Sequence, residues 1–211
     1  MEKIYPELKP KERIEAIVEN YIYPVVVDHG FRFVRSGISL KKDIKDFSYE
    51  IYFSRNHRNV DDIVCAFDVH AFVRGSGYSK WYKNIYNKKL ENNLIVSAHN
   101  HYIPNWVDDE FKNGYDLAIS DNAKILDSLL NNIHSSVLPF ICQITDYESA
   151  IEAVKKEESY FKTPMLLDFC EILRDEKQAF NILSWFEKEQ DCGTEFMNET
   201  LEQVSIRKHR L

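Results

Sequence analysis

A chain of 211 residues with 44% hydrophobic, 29% charged and 13% aromatic side chains has the make-up of a folded globular protein and not of a disordered one. Its net charge of −7 argues against attraction to nucleic acid or an anionic membrane through the overall field, leaving such binding to a local basic patch. No apolar run approaches ~18 residues and the start, Met1-Glu2-Lys3-Ile4-Tyr5-Pro6, is charged, so neither a membrane span nor a signal peptide is expected. Cys65, Cys142, Cys170 and Cys192 are scattered, with no C-x-x-C pair. That spacing reads as reduced thiols of a cytoplasmic protein, and not as a disulfide framework or zinc site.

In chain order, Pro10 opens a helix whose stripe is Ile14, Ile17, Val18, Tyr21, Ile22 and Val25. Pro24 lies inside that stripe and is expected to kink or end the helix, with Gly30 as its stop. A meander follows. Phe31 and Phe33 open a first strand running on through Ile38 and Leu40, with Lys41 to Asp46 as its turn. Phe47, Tyr49, Ile51 and Phe53 then alternate with Ser48, Glu50, Tyr52 and Ser54, the clearest strand signal in the chain. A third strand spans Ile63 to Arg74 and a fourth Leu94 to His101, with Leu94, Val96 and Ala98 on one side. Short connections favour antiparallel pairing. Gly75–Lys89 and Tyr102–Ser120 read as irregular interruptions.

Beyond Ser120 the pattern is helical. Ile125, Leu126, Leu129, Leu130, Ile133, Val137 and Leu138 form one stripe. Thr145 and Glu148 suggest a capping box, and Thr163-Pro164 a helix start. Leu166, Leu167, Phe169, Cys170 and Leu173 give one buried side and Ala179, Phe180, Leu183 and Phe186 another, on a single long helix or on a helical hairpin. Gly193 closes that unit, and Phe196, Met197, Leu201 and Val204 suggest a last helix. The expected fold class is α+β: an N-terminal helix, an antiparallel meander of about four or more strands, and a helical extension. The boundary is placed at residues 145/146, with the extension packed on the first domain or forming one unit with it.

The order helix, Gly30-Phe31-Arg32-Phe33, meander, then a helix reaching Leu138-Pro139-Phe140 resembles a bacterial family known only as a domain of unknown function. The likeness covers Ile14 to Val154. It implies the same helix–sheet–helix order and brings no active-site residues with it. Pro24 and the long Gly75–Lys89 segment depart from the family pattern. Residues Leu166 to Phe186 also resemble one tetratricopeptide unit, although a lone unit reads more simply as a helical hairpin, since solenoids need about three repeats.

Three groups of residues carry the candidate chemistry. On the polar side of the sheet, Glu50, Tyr52, Asp68, His70, Arg74, His99 and His101 fall on adjacent strands, and imidazole beside carboxylate is the material of acid–base catalysis and metal ligation. The plainer reading is a wetted sheet face. Arg74, Lys80, Lys83, Lys88 and Lys89 lie in an acid-free stretch interleaved with Tyr78, Trp81, Tyr82 and Tyr86, which suits stacking on bases or docking a phosphate. The plainer reading is a loop with its aromatics on the sheet edge. Between Asp146 and Asp191 twelve acids face six bases, so most of the negative charge sits on the helical extension and would speed encounter with a basic partner. No G-x-S-x-G elbow or Cys–His arrangement is present in the sequence.

The reading that fits is a non-enzymatic protein-interaction chain of regulatory or immunity-like type, with another protein as partner and with no cofactor and no metal expected. The alternatives are an enzyme or metal-binding protein using Asp68, His70, His99 and His101, and a nucleic-acid binder using Arg74 to Lys89. The sequence leaves the oligomeric state open.

Overall fold

Pro10 supplies a fixed φ and no N–H at the start of α1, Pro10–Ile17. The structure, a computed structural model, describes residues 3–61, 63–107, 111, 114–187 and 195–210, the side chains of 195–197 excepted. Cys192, Gly193 and the side chains of Phe196 and Met197 therefore lie outside the described residues. The chain divides into two compact units, Met1–Gln143 and Ile144–Leu211.

In the first unit Pro24 does not end the helix. A wider π-helical turn, Val18–Ile22, precedes α2, Tyr23–Val26, which holds Pro24 in its first turn. A proline cannot donate to the helical ladder, and a π turn absorbs the missing bond. The wider turn delays the apolar stripe by one position: Val26 is buried and Val25 faces water. Gly30 then ends the element at φ +83°, in the left-handed region it enters without strain.

The expected first strand breaks in two. β1, Arg32–Val34, and β2, Ser39–Ile44, pair antiparallel across a turn at Arg35–Gly37, after which Ile38 takes φ +46°. Lys41 to Ile44 thus lie in β2, and the turn shrinks to Lys45 and Asp46. β3 (Phe47–Arg55) and β4 (Ala66–Gly75) follow, the latter starting later than expected, since Ile63 is left in solvent. β5 (Leu94–His99) and the short β6 (Tyr115–Asp116) both pair with β4, giving the order β1-β2-β3-β4-β5 with every pair antiparallel. Leu40, Phe47, Tyr49, Ile51, Phe53, Phe67, Val69, Ala71 and Val73 are buried on one face, the two-residue period of a half-buried sheet.

A register shift between Val73 and Arg74 interrupts the β4–β5 ladder. It pairs Leu94 with Arg74 and turns Ile95 into the core, where Leu94 was expected. Gly75–Lys89 is no loop: Ser76–Tyr86 forms α3, with Tyr78 buried. The spacing Tyr78, Trp81, Tyr82, Ile85 was the helical signal, hidden by Gly75 just before the helix and Gly77 in its first turn. Gly77 is required there, because its N–H bonds to Asp46 O at 2.9 Å and a Cβ would collide with the Asp46 side chain. Helix α4 (Asn122–Asn132), a second π turn (Ile133–Val137) and α5 (Leu138–Cys142) bury the expected stripe except Leu130, which is half-buried, and α5 packs on β4.

The second unit is wholly helical among its described residues: α6 (Tyr147–Lys156), α7 (Thr163–Leu173), α8 (Glu176–Glu187) and α9 (Glu195–Lys208). The capping box is Asp146 with Ser149, not Thr145 with Glu148, because Ser149 holds N3 from the true cap. Thr163 is inside α7 and does not cap it; its buried hydroxyl donates to Tyr160 O at 2.5 Å. α7 and α8 form the hairpin, turned at Arg174 in the left-handed region, and Phe180 faces water. α9 is tied to α7 by a buried pair: Arg207 donates to both oxygens of Asp168 at 2.8 and 2.9 Å.

Burial also silences the thiols. It pushes Cys65 up to about 11 and Cys170 up to about 12, and moves Cys142 the same way, so each stays protonated and a poor nucleophile near neutrality. In the folded protein Cys65 and Cys170 should resist iodoacetamide at about pH 8, reacting only in denaturant; rapid native alkylation of either, read by mass spectrometry, would contradict this.

Candidate functional site

Strand alternation directs the polar set of β2 to β5 to the face opposite the core, and that face is open. Tyr52, His70 and His99 are direct cross-strand neighbours on β3, β4 and β5. Side chains opposite one another on antiparallel strands stand in contact range. The Tyr52 and His70 rings lie 5.9 Å apart, and those of His70 and His99 stack at 5.3 Å. The line continues past the end of β5, with His99 4.8 Å from Tyr102 and Tyr102 4.1 Å from His101. His70 also stacks on Phe72, and the Arg74 guanidinium lies over that ring. A row of five rings therefore crosses three strands, half-buried at Tyr52 and His70 and exposed from His99 to Tyr102, which is 64% accessible.

Asn100 makes this end of the sheet possible, and sequence reasoning missed it. It sits at φ +41°, a conformation Asn tolerates better than most residues. Its buried amide replaces a ladder step, accepting from Val69 N at 2.8 Å and donating to Asp68 Oδ1 at 2.6 Å. The chain thus turns after His99, and His101 falls in the turn Asn100–Tyr102, off the strand where it was expected. Asp68 is engaged by Asn100, and Glu50 pairs across the strands with Lys41 at 3.1 Å. Among the described residues no three His, Cys, Asp or Glu side chains converge as a metal-binding set. What this face offers chemically is stacking and hydrogen bonding.

Burial, then the proximity of His99, lowers the His70 pKa from its ordinary 6.5 against a smaller opposing pull from Asp68. The unfolded chain therefore takes up a proton on His70 at a pH where the folded one does not. The contribution is absent above 6.5 and becomes a loss of stability as pH falls from there to the depressed folded value. His70→Gln should flatten this part of the curve; an unchanged pH profile of the melting temperature would contradict the assignment.

The basic, aromatic stretch is placed elsewhere. Lys80, Trp81 and Tyr82 belong to α3, where Trp81 stacks on the buried Tyr78 and Tyr82 lies 4.5 Å from Tyr86. These rings pack among themselves, so only Arg74 of that stretch joins the ring row, through Phe72. In the second unit three apolar residues face outward: Phe161, Phe180 and Ile206 are 57%, 64% and 46% accessible. Among the described residues no helix is long and apolar enough to cross a membrane.

No protein-family model, no curated protein and no solved structure matches the chain.

Proposed function

We propose that the chain is a non-catalytic binding protein, regulatory or neutralising in role, whose partner is another protein held on the open sheet face of the first unit. The observation that carries this reading is the ring row Tyr52–His70–His99–Tyr102–His101. Rigid rings set side by side, three of the five exposed, give large contact area for little lost rotamer freedom, and interface anchors are enriched in such residues. The imidazoles add donors and acceptors without fixed charge while neutral. The acid excess of the second unit sets the sign of the partner: a basic protein, drawn in faster at low salt.

The test replaces His99 and Tyr102 together with alanine. Both are accessible, so the melting temperature should hold, while recovery of the partner by the full chain falls by roughly tenfold or more, as for interface anchors. Equal recovery by variant and wild type would remove the sheet face from the account. Loss of binding on reversing acids of α8, with the His99/Tyr102 variant unaffected, would move the interface to the helical unit.

A further inference from the structure

The strongest unexplained feature is a cavity of about 480 Å³ where β3 ends and α1 begins, lined by Lys9, Lys11, Arg55, His57, Tyr52 and Asp61 among others. Lys9, Lys11 and Arg55 are exposed, and none of them makes an ion pair with any described residue. Among the described residues, three cations without an ion-pair partner thus line one concavity against one carboxylate, on a chain whose net charge is −7. Like charges gathered in this way repel one another, and an anion seated among them removes the repulsion and gains charge-assisted hydrogen bonds.

The rim is built and braced. Asn59 donates to Ala66 O at 2.9 Å and accepts from Ala66 N at 2.8 Å, while Asn56 N donates to the same Ala66 oxygen at 3.0 Å. These bonds hold the segment after β3, and with it Arg55 and His57, against the start of β4. On the other wall α1 begins at Pro10, so the positive end of its dipole faces the same side as Lys9 and Lys11. Tyr52 links the cavity to the ring row, its ring 5.9 Å from His70.

The geometry points to this cavity as a binding site for a small phosphorylated molecule, the phosphate held by Lys9, Lys11 and Arg55. A guanidinium and two ammonium groups suit a multiply charged phosphate better than a lone carboxylate. The volume falls within the roughly 300–1,000 Å³ of small-molecule pockets. This site stands apart from the protein-docking face and shares only Tyr52 with it.

The test is calorimetric titration of the full chain with inorganic pyrophosphate and with ADP at moderate salt. Both should bind, ADP the tighter of the two because its ring can stack on Tyr52. Arg55→Ala and Lys11→Ala should each weaken binding by roughly tenfold, with the Lys9/Lys11/Arg55 triple alanine variant showing none. His99→Ala, which bears on the docking face, should leave pyrophosphate affinity unchanged. No heat at millimolar pyrophosphate, or equal binding by the triple variant, would overturn the site. A single-stranded oligonucleotide binding more tightly than ADP through the same three cations would overturn the small-molecule assignment.

Discussion

Replacing Asp168 with alanine should lower the stability of the helical unit by about 3–5 kcal/mol, because a buried charge is left without its partner. Asp168 is fully buried and Arg207 is 4% accessible. The guanidinium meets the carboxylate through two parallel bonds, and Nη1 also donates to Gln203 O and Oε1 at 3.1 and 3.0 Å. Without Asp168, Arg207 must either stay buried with an uncompensated charge or pull the end of α9 away from α7. The net worth of the pair is far smaller than this loss, since both charges were desolvated to form it. The double replacement Asp168→Leu with Arg207→Met should accordingly recover most of the stability. Hydrogen exchange reads the outcome by element: amides of α7 and α9 should lose roughly a hundredfold or more of protection in the single variant. Unchanged protection there would mean that the pair does not hold the two helices together.

Asn122→Ala should cost the first unit about 3 kcal/mol, the penalty of several buried groups losing their partner together. Asn122 has no accessible surface. Its oxygen accepts from Ile4 N at 2.9 Å and Arg13 Nη2 at 2.8 Å; its amide donates to Leu117 O and Ser120 O at 3.0 and 3.1 Å. One side chain therefore joins the N-terminal segment, α1 and the approach to α4, and Arg13, itself 3% accessible, depends on it. Asn122→Asp keeps the acceptor for Arg13 but sets a carboxylate against two carbonyl oxygens, so it should also destabilise. Urea unfolding of both variants checks this, and a loss below about 1 kcal/mol for Asn122→Ala would show that the network relaxes around the gap.

Both contacts join residues far apart in the chain, 39 positions for Asp168–Arg207 and 109 for Arg13–Asn122, and neither could be read from the sequence. What was legible was local and periodic. The alternation of Phe47–Phe53 held residue by residue, the stripe of α4 held except at the half-buried Leu130, and the stop at Gly30 held. The α7–α8 hairpin was one of two readings, and the turn at Arg174 decided it. Errors arose where one residue shifts a phase. The π turn before Pro24 exchanged Val25 for Val26, and the β4–β5 register shift exchanged Leu94 for Ile95. Gly75 and Gly77 hid α3 because glycine weakens a helical pattern, whereas here one of them is needed for close approach to Asp46. At the candidate site, strand period places Tyr52, His70 and His99 on one face, whereas their pairing depends on the register of β3, β4 and β5. The departure of His101 does not, since it depends on the conformation of Asn100. The cavity beside Tyr52 was missed because Lys9 and Lys11, at the start of α1, lie far in sequence from Arg55 and the three form no motif.

The central claim is that the open sheet face is where a partner protein sits, and a photo-crosslinker placed at Ser97 addresses it most directly. Ser97 is exposed on that face, opposite Phe72 and two residues from His99. In the cells that make the protein, irradiation should give one protease-sensitive, nuclease-resistant adduct from Ser97, lost when His99 and Tyr102 are replaced by alanine. The same crosslinker at the exposed Lys124 of α4 should give none. Adducts from Lys124 but not from Ser97, or a nuclease-sensitive adduct from Ser97, would contradict the account.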